Sequence, residues 1–171
     1  MTRVSIFAVM LGLVAAAGCD KASPTPSDPT QFTFTAQLLP ANEVPLVTNS
    51  EASGSGTVTI TLTVTRDSAS AITGGTANFV TNLTGFPATT SFTMAHIHEA
   101  IAGVAGPIVV NTGLASGEVG LTNGAGSFTK NNINVTAAIA NGMVNTPANF
   151  YFNVHTVANG PGVARGQLVK Q

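Results

Sequence analysis

Residues 57–65 read TVTITLTVT, and this stretch decides the fold. Its apolar residues Val58, Ile60, Leu62 and Val64 alternate with threonines, so that one face of an extended chain is apolar and the other is polar. Strict alternation of β-branched residues is typical of an antiparallel strand that has one face in the core and the other in water. The stretch therefore predicts a β-domain.

Further candidate strands lie on both sides of this stretch, separated by clusters of turn-forming residues. The candidate strands are 32–38, 76–83, 91–98, 107–111, 117–121, 126–129, 150–156 and 164–169. The turn clusters are 74–75, 85–87, 123–124 and 159–162. One Ala-rich run, 136–141, is followed by Gly142 and predicts a short helical turn that crosses between sheets. This rhythm predicts an all-β antiparallel sandwich or barrel.

The amino terminus has the features of an export signal. Arg3 precedes an uncharged, mostly apolar stretch, 4–18, which is shorter than the roughly 20 residues that a membrane-spanning helix needs. The stretch ends in small residues directly before Cys19, which resembles a bacterial lipoprotein signal, with Ala16 where Leu is usual. We therefore predict a signal peptide over 1–18 and a lipid, such as palmitate, on Cys19. The alternative is an ordinary secretory signal with an incidental cysteine.

Both interpretations of the signal predict export from the cytoplasm, and the resemblance to a lipoprotein signal implies the cell envelope of a bacterium. With a lipid anchor the domain would sit outside the cytoplasm, tethered to a membrane whose identity stays open. Residues 19–31 contain three prolines and lack large apolar side chains, so we expect a flexible tether. The β-domain is then predicted over 32–171.

Composition and missing motifs exclude several functional classes. The 171 residues carry 6 Lys and Arg against 7 Asp and Glu, and only 8% of residues are charged, which gives no basic patch for nucleic acid. The single cysteine excludes an intrachain disulfide and a cysteine-based zinc knuckle. No P-loop, nucleophile elbow or dinucleotide fingerprint is present, so no enzyme class is indicated.

Histidines carry the only chemistry that the sequence suggests. His96 and His98 lie two residues apart in a predicted strand, so they project from one face, and we expect Phe92 and Met94 beside them. His155 lies in another predicted strand. If these strands are neighbours, three imidazoles converge, a ligand set suited to zinc or copper.

Two interpretations of these histidines stay open, with catalysis as a third. In the first, the imidazoles hold a metal, with Glu43 and Glu99 as further ligands or hydrogen-bonding partners. In the second, they brace the sheets through hydrogen bonds, and Glu43 and Arg165 complete a buried polar cluster.

Four segments, in order, resemble the CHRD domain, first named from the BMP antagonist chordin. They are FTAQLLPANEVP at 34–45, AHIHEAIAGVAGPIVV at 95–110, NFYFNVHT at 149–156 and GVARGQL at 162–168. The resemblance implies an all-β Greek-key sandwich or barrel, like superoxide dismutase or immunoglobulin domains, without established catalytic activity. The His-x-His strand also looks like the copper-binding strand of Cu/Zn superoxide dismutase, but the other metal ligands of that enzyme have no match here.

Two functions follow as hypotheses. The first is a non-enzymatic binding or structural module with no cofactor, anchored to the membrane by its lipid and recognising an unknown protein or envelope ligand. The alternative is a periplasmic copper- or zinc-binding protein that uses His96, His98 and His155 and could be redox-active.

Overall fold

The computed structural model describes residues 28–171. The predicted signal peptide, Cys19 and the tether up to residue 27 lie outside these residues and remain predictions. Within 28–171, no helix has the length and apolar character needed to cross a bilayer. Nine strands and one α-helix are described: β1 (Gln31–Leu38), β2 (Ser55–Arg66), β3 (Ile72–Thr84), β4 (Phe92–Glu99), β5 (Ile108–Asn111), β6 (Gly126–Thr136), α1 (Ala137–Asn145), β7 (Phe150–Thr156), β8 (Ala164–Gln167) and β9 (Val169–Lys170).

The strands form two sheets that pack as a sandwich. The first sheet has the order β6-β3-β2-β1-β9 and the second has the order β5-β4-β7-β8. All pairings are antiparallel. The predicted all-β antiparallel fold is confirmed, and it takes the form of a sandwich. A single bridge between Leu39 and Arg165 joins the end of β1 to β8 at one corner.

The stretch TVTITLTVT lies within β2, at the centre of the five-stranded sheet. Val58, Ile60, Leu62 and Val64 are each at most 3% exposed and form part of the core between the sheets. The threonines lie on the outer face, where most are exposed. Alternation in the sequence thus directs one face of β2 into the core, as predicted.

One predicted turn and one predicted strand are wrong. Residues 74–75 lie inside β3 and do not form a turn, because the backbone of β2 approaches so closely that a Cβ on Gly75 would lie 2.6 Å from the carbonyl oxygen of Thr63. Residues 117–121 form no strand. The backbone turns at Gly117, which has a positive φ of 80°, and Val119 is the one buried apolar residue of this segment. An isolated bridge from Thr122 to Ala125 follows.

The predicted helix forms and connects the two sheets, but it is longer than expected. The Thr136 side chain caps its amino end by accepting a hydrogen bond from the backbone N–H of Ile139. Helix α1 then continues through Gly142 to Asn145, so Gly142 is not the C-cap. A Cβ on Gly142 would lie 2.6 Å from Cζ of Phe150, so glycine here permits close packing of α1 against β7.

The predicted strand 164–169 is divided between the sheets. β8 belongs to the four-stranded sheet and β9 to the five-stranded sheet, with buried Leu168 between them. This change of sheet interrupts the regular pairing that a single strand would have.

A register shift between Phe92 and Met94 changes which face of β4 each residue occupies. Phe92 enters the core and contacts the Phe86 ring edge-on at 5.1 Å between centroids, so the prediction that it lies beside the histidines is wrong. Beyond the bulge, Ala95 and Ile97 face the core. Met94 and the two histidines therefore face the other side of the sheet.

The outer face of the four-stranded sheet is covered by loops, which makes β7 buried along its whole length. Phe152 and Val154 pack into the core, whereas Tyr151, Asn153 and His155 lie on the outer face. The covering loops are residues 39–49, 100–107 and 157–163. The candidate site lies in the polar layer between this face and these loops.

Candidate metal centre

Strand pairing brings the three histidines together. β4 and β7 are neighbours in a register that places Met94 opposite His155, His96 opposite Asn153 and His98 opposite Tyr151. One nitrogen from each imidazole lies within 4.8 Å of a nitrogen of the other two. The residues are 1%, 7% and 5% exposed for His96, His98 and His155. The convergence expected from the sequence is therefore present, and it is buried.

Backbone carbonyls from two loops orient two of the rings. Nδ1 of His98 lies 2.9 Å from the carbonyl oxygen of Gly106, and Nδ1 of His155 lies 2.8 Å from that of Gly160. A carbonyl oxygen only accepts hydrogen bonds, so each Nδ1 carries the hydrogen and donates it. In the neutral imidazole the lone pair is then on Nε2. Both rings thus present an unprotonated Nε2 on the side away from their loops.

The two Nε2 nitrogens differ in their hydrogen-bond partners. Nε2 of His98 is buried without a hydrogen-bond partner. Nε2 of His155 lies 3.1 Å from Nδ1 of His96 and 3.0 Å from Oδ1 of Asn153. Two lone pairs that face each other at 3.0 Å repel, unless a positive charge lies between them or the Asn153 amide turns its NH₂ group inward. With its hydrogen on Nδ1, His96 donates to Nε2 of His155, whereas Nε2 of His98 still has no donor, so the group forms an incomplete hydrogen-bond network with room for a cation.

Burial lowers the pKa of all three imidazoles below the usual 6.5. The pKa of His96 falls to about 4, because burial and then the neighbouring rings of His155 and His98 disfavour a proton there. The bonds to Gly106 and Gly160 act in the opposite direction on His98 and His155 without cancelling the effect of burial. At neutral pH the rings are uncharged, which is the form that binds metal ions.

A buried Arg165–Glu43 pair continues the polar layer. The Arg165 side chain is 2% exposed, and its guanidinium lies over the Tyr151 ring, 4.5 Å from the centroid. It donates to the carbonyl oxygens of Asn42 and Val104. Nε of Arg165 is 4.0 Å from a carboxyl oxygen of Glu43, so the two attract without a direct hydrogen bond. The structure thus brings together Glu43 and Arg165 as the structural interpretation expected.

The Tyr151 ring links the ion pair to the metal candidate. His98 stacks on Tyr151 with ring planes 6° apart and centroids at 4.8 Å, on the same ring that Arg165 contacts. Burial raises the pKa of Glu43 to about 7, with Arg165 acting in the opposite direction. A Cβ on Gly162 would lie 2.6 Å from the Glu43 carboxyl oxygens, so the third covering loop closes directly over this carboxyl.

Glu99 is a predicted site residue that lies apart from the three histidines in the structure. Its side chain is exposed at the end of β4 and is absent from the histidine group. A cleft of about 480 Å³ opens at the Arg165 end of the layer and is lined by Asn42, Glu43 and Gln167 among others. No histidine lines this cleft, so the imidazoles are closed off from it.

Sequence reasoning could place the side chains around the rings but missed the backbone carbonyls that orient them. Asn153 and Tyr151 lie on the histidine side of β7, and alternation along that strand places them there. The carbonyl oxygens of Gly106 and Gly160 give no signal in the sequence, because any residue has a carbonyl and its direction depends on the loop conformation.

Comparison with known proteins gives one match. A model of the CHRD domain matches residues 34–168, which include every residue of the polar layer. No curated protein and no solved structure shows significant similarity to the chain.

Proposed function

The chain belongs to the CHRD domain family, and on that premise we propose that it is a non-enzymatic, metal-binding module of the bacterial cell envelope. In this proposal His96, His98 and His155 hold one copper or zinc ion. The observation that carries the proposal is the orientation of His98 and His155, whose Nδ1–H groups are bound by loop carbonyls while their Nε2 lone pairs point inward. Fixing a ligand imidazole through its other nitrogen is the usual way in which proteins orient metal-bound histidines.

The competing interpretation is a purely structural cluster. The bonds to Gly106 and Gly160 favour it, since they tie two strands to the covering loops. A structural cluster, however, gains most when every buried nitrogen is satisfied, and Nε2 of His98 has no partner. We therefore favour the metal site and retain the structural module as the second candidate function.

Burial of the ligands supports binding without catalysis. Catalytic zinc sites leave one coordination position open to substrate. The three histidines are covered by loops, and the nearby cleft at Arg165 does not reach them. We propose a site that holds an ion, with no turnover.

The anchor is the second part of the proposal. A lipid on Cys19 and a proline-rich tether would hold the domain outside the cytoplasm at a membrane surface. Labelled palmitate should enter the wild-type protein and not Cys19→Ser, and that variant should leave the membrane fraction. Equal membrane association of both proteins would contradict the anchor and leave the metal proposal intact.

The metal proposal is tested on the purified full-length protein. We expect one copper or zinc ion per chain by elemental analysis and a rise in melting temperature on loading. Saturation at about 100 times the dissociation constant stabilises a fold by roughly 2.7 kcal/mol. The double variant His96→Ala/His98→Ala should lose the ion and the stabilisation while keeping its β-sheet circular dichroism.

Glu99→Gln is the matched control, because it changes an exposed side chain next to His98 on the same strand. It should keep the ion. Substoichiometric metal in the wild type, with a melting temperature that EDTA does not change, would contradict the metal site and favour the structural module.

A further inference from the structure

Resting on the proposed function, the geometry points to a specific ion: we infer that the site selects monovalent copper over divalent ions, with Met94 as a sulfur ligand at its outer edge. The inference rests on the charge of the ligand set and on the position of Met94.

The ligand set is electrically neutral. Among the residues that the structure describes, the group of converging donor atoms contains three imidazoles and no carboxylate or thiolate. The carboxyl of Glu43, in the same layer, faces Arg165 at 4.0 Å, so its charge when ionised offsets the guanidinium and leaves none for a metal. Any ion bound here would keep its full charge in a buried environment.

Burial penalises a divalent ion more than a monovalent one. The Born cost of moving an ion out of water grows with the square of its charge, so it is about four times greater for a divalent than for a monovalent ion of the same size. Zinc sites meet this cost with thiolates in a closed tetrahedral shell or, where three histidines bind, with a water or substrate in an open fourth position. The described ligand group offers neither, whereas a closed-shell monovalent copper ion is stable with few neutral nitrogen ligands.

Met94 adds a soft donor beside the imidazoles. It is directly opposite His155 in the β4–β7 register and two residues before His96, which puts it on the histidine side of the sheet. Its side chain is 41% exposed, so it lies at the solvent edge of an otherwise buried group. Thioether sulfur favours monovalent copper over zinc.

The bulge between Phe92 and Met94 creates this placement. It sends Phe92 into the core and leaves Met94 as the residue that flanks the histidines on the outer face. Single exposed apolar residues are common on protein surfaces, so it is the position of Met94 beside the histidines that points to a ligand role for its sulfur.

The test compares ions and one substitution in the full-length protein. Affinity for monovalent copper is measured without oxygen, in ascorbate, by competition with bicinchoninate. Silver(I) serves as a redox-inert monovalent ion, and zinc affinity is measured with a chromophoric chelator. We expect one copper(I) or silver(I) per chain, with copper(I) held at least about tenfold more tightly than zinc.

Met94→Leu removes the sulfur and keeps an apolar side chain of similar size. It should weaken copper(I) and silver(I) binding about tenfold and change zinc affinity by less than about twofold. Glu99→Gln, on the same strand, should change neither.

The outcomes separate this inference from the proposed function. Zinc affinity equal to or above that for copper(I), or copper(I) affinity unchanged in Met94→Leu, would overturn the choice of ion and leave the metal site standing. Failure of the folded wild type to bind copper(I), silver(I) or zinc would overturn both.

Discussion

Gly162 shows how a single residue controls the cover of the polar layer. Its φ of +142° is one that side-chain-bearing residues rarely adopt, and a Cβ would lie 2.6 Å from both carboxyl oxygens of Glu43. The buried carboxyl has little freedom to move away, because it lies beside the Arg165 guanidinium. Loop 157–163 therefore reaches its position only with glycine here.

Gly162→Ala is expected to destabilise the domain. Strain and the displaced carboxyl should lower the free energy of unfolding by about 1–3 kcal/mol, measured by urea unfolding of the metal-free protein.

Gly160→Ala is the matched control in the same loop. A Cβ there meets nothing within 4 Å, and the carbonyl that binds His155 is kept. Its effect should be within about 0.5 kcal/mol. Equal destabilisation by the two substitutions would contradict the close packing of Gly162 against Glu43.

Individual site residues were predictable only where the strand period placed them. Alternation puts His96 and His98 on one face, and pairing of their strand with that of His155 completes the cluster. Asn42 and Val104 accept hydrogen bonds from Arg165 through their backbone carbonyls, and their side chains give no indication of this contact. The direction of a loop carbonyl depends on the conformation of the loop, which the sequence patterns do not predict.

At the level of elements, glycine had to be interpreted in its packing context. Gly142 looks like a helix C-cap in the sequence, whereas in the structure it lies within α1 against Phe150. Gly75 looks like part of a turn, whereas it lies inside β3 against the backbone of β2. In both cases glycine is required by a long-range contact, which local patterns do not contain.

Gly142→Ala tests this interpretation of α1. Alanine favours a helix over glycine by roughly 0.8–1.0 kcal/mol, so helix propensity alone predicts stabilisation. Because the new Cβ would lie 2.6 Å from Cζ of the buried Phe150 ring, we expect a net loss of about 1–3 kcal/mol in chemical unfolding.

Gly142→Ala/Phe150→Leu provides the control, because the smaller side chain makes room for the Cβ. The alanine should cost less in this background than in the wild type, as a double-mutant cycle would show. A stabilising Gly142→Ala single variant would contradict the close contact.

For the whole molecule, the polar layer makes stability depend on pH in two opposite ways. Unfolded imidazoles titrate near 6.5, while folded His96 titrates near 4, so acid protonates the unfolded chain first and stability falls as pH drops through this window. Glu43 acts in the other direction. Its folded pKa of about 7 lies above the usual 4.5, so the folded chain binds a proton first and gains stability as pH falls between these values.

Glu43→Gln should isolate the contribution of the histidines to the pH dependence of stability. Without the opposing carboxyl, the loss of stability from about pH 7 to 4.5 should be steeper than in the wild type, as measured by urea midpoints of metal-free protein. Glu99→Gln reports the effect of removing an exposed carboxyl from a neighbouring position. Parallel curves for Glu43→Gln and the wild type would contradict a buried, protonated Glu43.

The fold as a whole was the most predictable level. The apolar face of β2 must be buried against a second layer. Because the sequence is a succession of short strands and turns, that layer is predicted to be a second sheet or the far side of a barrel. Which strands share a sheet was not predictable, because β8 and β9 are contiguous in sequence yet join different sheets through Leu168. Such a switch depends on the positions of both sheets at once.

The loops over the histidines have a kinetic consequence. The carbonyls that orient His98 and His155 belong to the same segments, 100–107 and 157–163, that shield these rings. Loss of an ion from the imidazoles would therefore involve movement of one of these segments, and the same motion would also release an imidazole to rotate. Release would then be slow, because it would have to wait for this loop to open.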